Sequence, residues 1–288
     1  MIYMSADDYG LCDEASMHIW QCIDRGALHK VSVFPNFDPS AVQTIVKNKN
    51  IRVSLHVNLV EGKCMADAEK IELLADKNGN FKHTFGGLFK LNLLHGKKLE
   101  AQAYQEIRAQ VSFWKNMLPK DTPFCIDSHQ HTHMLPAVFR ALLQVLEDEK
   151  IKPEYMRIPA EPILPYIKTP SLYFTYSGIN CIKQWLLNFL WLVNKKRAKQ
   201  YKIPTSYFLG ILFSGKMDEK RVHKILKKYI KMTEKNGRDI EVLFHPGYLE
   251  KRGNAFENKN IVFEKFYVSK NRQTEFTSVM KLSERSVL

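Results

Sequence analysis

Cysteine is scarce and poorly placed for covalent or metal work. The five in this 288-residue chain, Cys12, Cys22, Cys64, Cys125 and Cys181, are scattered and odd in number, with no C-x-x-C pair. That usage argues against a disulfide framework and against a thiolate zinc site, and it favours a reducing compartment. The N-terminus lacks a charged segment followed by a long apolar run, so no secretory leader is read there. The two absences together point to the cytoplasm. There is no internal repeat and no clear domain boundary, and 288 residues can bury a core without covalent support, so residues 1–288 read as one domain. Acidic residues are outnumbered, 30 against 43 basic ones, a net charge of +13. Such a balance permits nucleic acid, an anionic membrane or an anionic substrate as partner and chooses none of them. No nucleic-acid-binding motif accompanies it, so nucleic acid is set aside.

What is present is an alternation of short apolar strands with amphipathic helices. Strands are predicted at Ile2–Met4, Val31–Phe34, 51–59, Phe124–Asp127, Tyr155–Ile158, Ser206–Phe213 and Ile240–His245. Between them, Ala15, Ile19, Cys22 and Ile23 have helical spacing, with Gly26 as a C-cap. Leu99, Ala103, Ile107, Val111, Trp114 and Leu118 line one face of a long helix ended by Pro119. Further helices are expected around 42–46, 138–146, 222–230 and 272–282. Residues 61–97 have little periodicity and read as a loop insertion with short helical pieces, of the kind that covers an active site. About seven strands alternating with helices give a parallel α/β sheet or barrel. In 51–59, Val53, Leu55, Val57 and Leu59 share one face, while Ser54, His56 and Asn58 share the other.

The chemistry-bearing residues cluster at strand ends. Asp127-Ser128-His129-Gln130-His131-Thr132-His133 puts three imidazoles and a carboxylate directly after an apolar strand. Asp7, Asp8, Asn36, His56, Arg157 and His245 also fall at or near the C-terminal ends of predicted strands. Residues gathered from so many strands fit the mouth of a (β/α) barrel better than the crevice of an open sheet. Imidazole and carboxylate are ligands for zinc, manganese, iron or cobalt. One carboxylate and two imidazoles leave open positions where water acquires a lowered pKa and a carbonyl is polarised. A second carboxylate can then act as base and a histidine opposite can protonate a leaving amine. If the Asp7–Asp8 turn is extended, the two carboxylates point in different directions and divide these tasks. The constellation suits amide or ester hydrolysis.

Six segments in order also resemble one family. They are Ser5-Ala6-Asp7-Asp8-Tyr9-Gly10, Ser54-Leu55-His56-Val57-Asn58-Leu59, the 127–133 cluster, Arg157-Ile158-Pro159-Ala160-Glu161-Pro162, Phe213-Ser214-Gly215-Lys216-Met217 and Leu243-Phe244-His245-Pro246-Gly247. Together they resemble the YdjC-like carbohydrate deacetylases (the ChbG/HpnK group), with the later segments most similar to the HpnK branch associated with hopanoid lipid synthesis. The resemblance implies a distorted (β/α) barrel related to the NodB-type deacetylases. It implies Asp8, His56 and His129 as ligands of one divalent ion, Asp7 as general base, His245 as general acid and Arg157 as the group that orients the base. The family is usually assigned magnesium, whereas an Asp/His/His set suits zinc or another transition ion on ligand chemistry. Tyr9 and Ser5 replace the Phe and Asn frequent in the family, and neither is a proposed ligand. Asp127 is read as the partner orienting a histidine. His131, Asn36 and Asn58 are read as supporting the ligands or touching substrate, and His133 as structural. The substrate expected is an N-acetylated sugar, oligosaccharide or glycolipid. A non-catalytic sugar- or lipid-binding barrel with a structural metal and a metal-dependent phosphoesterase stand as alternatives. The latter would want more carboxylates for two metals.

One stretch remains. From Trp185 to Val193 only Asn188 is polar, and Lys195, Lys196, Arg197, Lys199 and Lys202 follow. This run is shorter than the roughly 20 residues a membrane-spanning helix needs. Residues 179–202 read either as a helix of the barrel wall or a homodimer contact, or as an amphipathic lip. In the second case Trp185, Leu186, Phe189 and Trp191 meet acyl chains at the inner face of the membrane, and the lysines meet headgroups.

Overall fold

The computed structural model describes residues 1–25, 28–251 and 261–284. The Gly26 cap and the C-terminal end of the 1–288 domain lie outside the described residues. Seven parallel strands form one sheet: β1 (Ile2–Tyr9), β2 (Lys30–Val33), β3 (Arg52–Val57), β4 (Cys125–Ser128), β5 (Tyr155–Met156), β6 (Tyr207–Leu209) and β7 (Ile240–Phe244). Their order is β5-β4-β3-β2-β1-β7-β6. The helices α1 (Asp13–Asp24), α2 (Pro39–Ile45), α3 (Phe85–Leu94), α4 (Gly96–Met117), α5 (Pro136–Asp148), α6 (Leu164–Ile167), α7 (Gly178–Gln200), α8 (Glu219–Thr233), α9 (Ile261–Tyr267) and α10 (Lys270–Glu284) follow or separate the strands. The sheet curls until its edges approach: the Met156 N–H donates to the Pro204 carbonyl at 3.4 Å, and the Tyr155 and Ser206 hydroxyls are 3.0 Å apart. The result is the expected distorted (β/α) barrel, bridged at β5 and β6 without a full ladder.

Packing follows the periodicities. On α4, Leu99, Ala103, Ile107, Val111 and Trp114 are all buried, as their spacing predicts. The other buried flank of α4 is polar. Glu106 accepts the Met65 and Ala66 N–H groups, and Gln102 accepts that of Leu73. This clamps the 61–97 insertion, which contains a 3-10 turn at Ala68–Ile71, bridges pairing Lys63 with Asn80 and Ala75 with Phe81, and α3. β6 is much shorter than the predicted Ser206–Phe213. Buried Glu161 explains why: it accepts the N–H groups of Gly210, Ile211 and Leu212 at 2.5, 2.7 and 3.0 Å, pulling the chain off the sheet.

The barrel interior carries charge. Alternation turns Lys30, Ser32, Asp127 and Glu241 inward, where Arg157 joins them, all at most 2% exposed. Glu241 binds Lys30 at 3.2 Å and Arg157 at 2.7 Å, and it also bonds the Tyr155 hydroxyl. Burial opposes ionisation of Glu241, but Arg157 and Lys30 outweigh it and bring its pKa to about 2. A depressed carboxyl stabilises the fold above its ordinary pKa of 4.5 and loses that contribution as pH falls towards 2. The shift corresponds to something on the order of 3 kcal/mol. Urea unfolding measured from pH 6 downward is therefore expected to lose stability between about pH 4.5 and 2. Glu241→Gln should be less stable at neutral pH and show a visibly flatter acid limb, and an unchanged limb would contradict this assignment.

The 181–202 segment forms most of α7 and faces both ways. Leu187 and Leu190 are buried, while Trp185 and Phe189 are 65% and 49% exposed and stacked on one another. Leu186 and Trp191, expected on the same lip, instead pack partly against the core. At about 100° per residue they fall on the inner flanks of the helix. Among the described residues no helix is long and apolar enough to cross a membrane.

Candidate metal centre

The two aspartates of β1 owe their geometry to a break in the strand. The β1–β2 register shifts between Ala6 and Tyr9, and Asp8 has φ 73°, a left-handed conformation that an aspartate tolerates better than most residues. A regular strand would send Asp7 and Asp8 to opposite faces. The bulge turns both inward instead, so the extended-turn expectation that they point apart does not hold. His56 Nε2 lies 3.5 Å from Asp8 Oδ1 and 4.0 Å from Asp7 Oδ2.

His56 reaches this point because β3 and β4 pair in register, with His56 opposite Asp127. What looks in sequence like a polar, solvent-facing side of the strand is the barrel interior: Ser54, His56 and Asn58 are all at most 1% exposed. Asp127 Oδ1 accepts from His56 Nδ1 at 2.6 Å, and its Oδ2 accepts from the Ser32 hydroxyl at 2.7 Å. The Nδ1 proton is thereby fixed, and Nε2 is buried without a hydrogen-bond partner among the described residues. Asp127 thus sits behind His56 as a carboxylate orienting an imidazole. Burial disfavours the His56 cation, but Asp7, the hydrogen bond with Asp127 and the nearby Asp8 carboxylate overcome it, pushing the pKa up to about 9.

His129 opens a 3-10 turn, His129–Met134, directly after β4, and its Nδ1 lies 3.0 Å from Asp8 Oδ1. Phe34 walls both rings, edge-on to His56 at 5.0 Å and tilted to His129 at 4.9 Å. One donor atom from each of Asp8, His56 and His129 lies within 4.8 Å of the others, and all three residues are buried. One carboxylate and two buried imidazoles, with His56 Nε2 free of hydrogen bonds among the described residues, form a donor set that can hold a divalent ion. Burial works against the Asp8 anion. Arg272, 2.9 Å from its Oδ2, and the two histidines outweigh that and hold it well below the usual carboxylate range.

The proton-handling candidates flank this centre. Arg157 donates to Asp7 Oδ2 at 2.7 Å, leaving Asp7 Oδ1 buried and without a hydrogen bond among the described residues. The pairing of Ala6 with Phe244 across β1 and β7 sets His245 level with Asp7. Glu275 of α10 accepts the His245 backbone N–H at 2.6 Å and lies 3.3 Å from its Nδ1. His131 is half-buried with an unbonded Nδ1, and φ 58° places it beside Phe208. Burial first, then Arg157, drive its pKa well below the ordinary histidine value, so it is neutral. His133 bonds the Ser128 hydroxyl at 2.5 Å and the Arg157 carbonyl at 2.9 Å, bracing the segments after β4 and β5. Asn58 donates to Asn36 and to the Glu61 carbonyl and accepts from Val60 and Glu61, and Asn36 donates to Glu61 and Lys63. Their amides shape the start of the insertion.

Sequence reasoning did not pick out Lys30, Glu241, Arg272 or Glu275. A charge inside an otherwise apolar strand signals the first two; nothing local marks the others. Glu275→Gln tests the α10 contribution. Metal content and KM should be unchanged and kcat should fall about 10–100-fold, the usual cost of removing a carboxylate that orients a histidine. A rise in KM alone would remove Glu275 from the proton pathway.

Fold and site together define a (β/α) barrel with Asp8, His56 and His129, buried at the C-terminal ends of its strands, as a group that could hold a divalent metal. The pattern of the YdjC-like protein family matches residues 1–288, and the chain belongs to that family. A carbohydrate deacetylase of Danio rerio is 31% identical over 166 residues, 57% of this chain and 51% of that protein. One of Clostridium beijerinckii is 23% identical over 66% of this chain and 74% of that protein. The chain thus spans about half the length of the vertebrate relatives it matches. A crystal structure from Enterococcus faecalis, described provisionally as a cellobiose-phosphate cleavage protein, superposes with a TM-score of 0.63 at 15% identity. It covers 99% of this chain and 94% of that one, and shows a shared fold.

Proposed function

We propose that the protein is a metal-dependent deacetylase that hydrolyses the acetamido group of an N-acetylated sugar, free or lipid-linked. The observation that carries this reading is the convergence of Asp8, His56 and His129, with the Asp7 carboxylate 4.0 Å from His56 Nε2 through Oδ2 and its Oδ1 buried without a hydrogen bond among the described residues. The relatives named carbohydrate deacetylase support the substrate class. Asp8, His56 and His129 would hold a divalent ion, which would supply Lewis acidity and make water a better nucleophile. The donor set favours zinc or another transition ion, and the family resemblance favours magnesium.

The residues of the chain supply the rest. Asp7, its other oxygen held by Arg157, accepts a proton from the attacking water at Oδ1. His245 gives a proton to the departing sugar amine, with Glu275 fixing its ring from behind. Asp127 keeps the Nδ1 proton of His56 in place, so that Nε2 faces the ion. Arg272 holds Asp8 Oδ2, while Oδ1 faces His129 Nδ1 at 3.0 Å on the side where the ion would be held. His131, half-buried against the core ring of Phe208, offers an imidazole to the substrate.

A two-metal phosphoesterase fits less well. The second candidate group, Asp7, His56 and Asp127, shares His56 with the first and so offers no separate second site. A purely binding barrel would have no use for a base and an acid around the metal. Acetate release from N-acetylglucosamine oligosaccharides and lipid-linked N-acetylglucosamine, chelated against metal-reloaded, tests the proposal. Release that depends on the ion supports it; equal release after chelation, or phosphate release from sugar phosphates instead, would overturn it.

A further inference from the structure

Both faces of α7 carry apolar residues. Its inward face sets Asn180, Gln184 and Asn194, each buried and donating to fixed acceptors, among Leu187, Leu190 and Ala198. Asn180 donates to the Leu212 and Ser214 carbonyls, Gln184 to Glu161, and Asn194 to the Met134 carbonyl. The outward face carries Ile182, Trp185, Phe189 and Leu192, between 49% and 68% exposed, at steps of three and four residues over three turns. Phe174, in the turn just before this helix, is exposed in full. The outward apolar stripe is therefore a second apolar face, beyond the one that the core uses.

The position of the stripe matters. The acceptors that hold α7 belong to segments following β4, β5 and β6, so the helix lies along the rim of the barrel mouth. Its charge is equally one-sided. Residues 162–217 contain no Asp or Glu and eight Lys or Arg. Lys196 and Lys199 continue the outward face beyond Leu192, exposed like Lys195 beside them. The cleft beside this region, of about 560 Å³, is lined by Lys168, Lys224, Lys227, Lys228 and Lys231.

We propose that the outward face of α7 seats on an anionic lipid bilayer, holding the barrel mouth at the membrane surface. Trp185, Phe189 and Leu192 enter the boundary between headgroups and acyl chains, and the lysines at its C-terminal end pair with the phosphates. A second copy of the chain is the less suitable occupant, because this stretch offers no carboxylate to meet its own cations. Docking is separable from the reaction proposed above, and each can fail without the other.

Co-sedimentation with vesicles of phosphatidylcholine alone, and of equal parts phosphatidylcholine and phosphatidylglycerol, tests it. The protein should sediment with the anionic vesicles, and added salt should release it. Trp185→Ser/Phe189→Ser and Lys195→Glu/Lys196→Glu should each weaken binding by about 10-fold or more. All four positions are exposed, so circular dichroism and acetate release from a soluble substrate should match the wild type. No sedimentation, or sedimentation that the variants leave intact, overturns the proposal. So does light scattering that finds a dimer dissociated by Trp185→Ser/Phe189→Ser, which gives the face to a second copy.

Discussion

His129→Ala is expected to lose the bound ion and the activity together. With Asp8 and His56 alone, two donors remain of three, and Asp8 Oδ1 also loses its neighbour at 3.0 Å. Metal analysis after reloading should show less than stoichiometric content, and kcat/KM should fall on the order of 10³-fold or more, since the polarising charge is lost with the ion. The ring is buried, so thermal unfolding must be followed in parallel to separate loss of metal from loss of fold. A variant replete with metal and turning over normally would remove His129 from the centre.

Asp7→Asn is expected to keep the metal and lose about 10²–10⁴-fold in kcat. The amide has nearly the same shape and can still accept from Arg157, so binding should survive, while Oδ1 can no longer take a proton. The comparison with Asp8→Asn is decisive, because the bulge brings both carboxylates to within 4.0 Å of His56 Nε2. Each Oδ2 is held by an arginine, and the near-symmetry is broken at the other oxygen: Asp8 Oδ1 faces His129 Nδ1 at 3.0 Å, while Asp7 Oδ1 has no hydrogen bond among the described residues. If Asp7→Asn abolished metal content and Asp8→Asn did not, the two roles would have to be exchanged.

The fold was largely legible because hydrophobic periodicity is local. The alternation of 51–59 and the helical stripe from Leu99 to Trp114 each describe one element and its neighbours in the chain. All seven predicted strands exist, and the parallel order follows from the helices between them. Strand lengths were less legible. β6 stops at Leu209 because Glu161, about fifty residues earlier, captures the next three N–H groups. The site residues were visible as polar groups at strand ends, yet their division of labour was not. A one-residue bulge at Asp8 decides that both aspartates face inward, and its dihedral is fixed by contacts with β2 and α10 rather than by its neighbours.

The sequence by itself determined the alternating αβ architecture, the strand-end placement of Asp7, Asp8, His56, His129 and His245, and the apolar-basic character of residues 181–202. Each is a property of spacing or composition within a short window. Only the tertiary structure decided that the polar face of β3 is a sealed interior, that Lys30, Arg157 and Glu241 neutralise one another there, and that Arg272 and Glu275 come back from the last helix to hold Asp8 and His245. It also decided which side of α7 meets solvent. These depend on pairs separated by as many as 264 residues, such as Arg272 and Asp8, and on charges whose burial is favourable only once their partners have arrived.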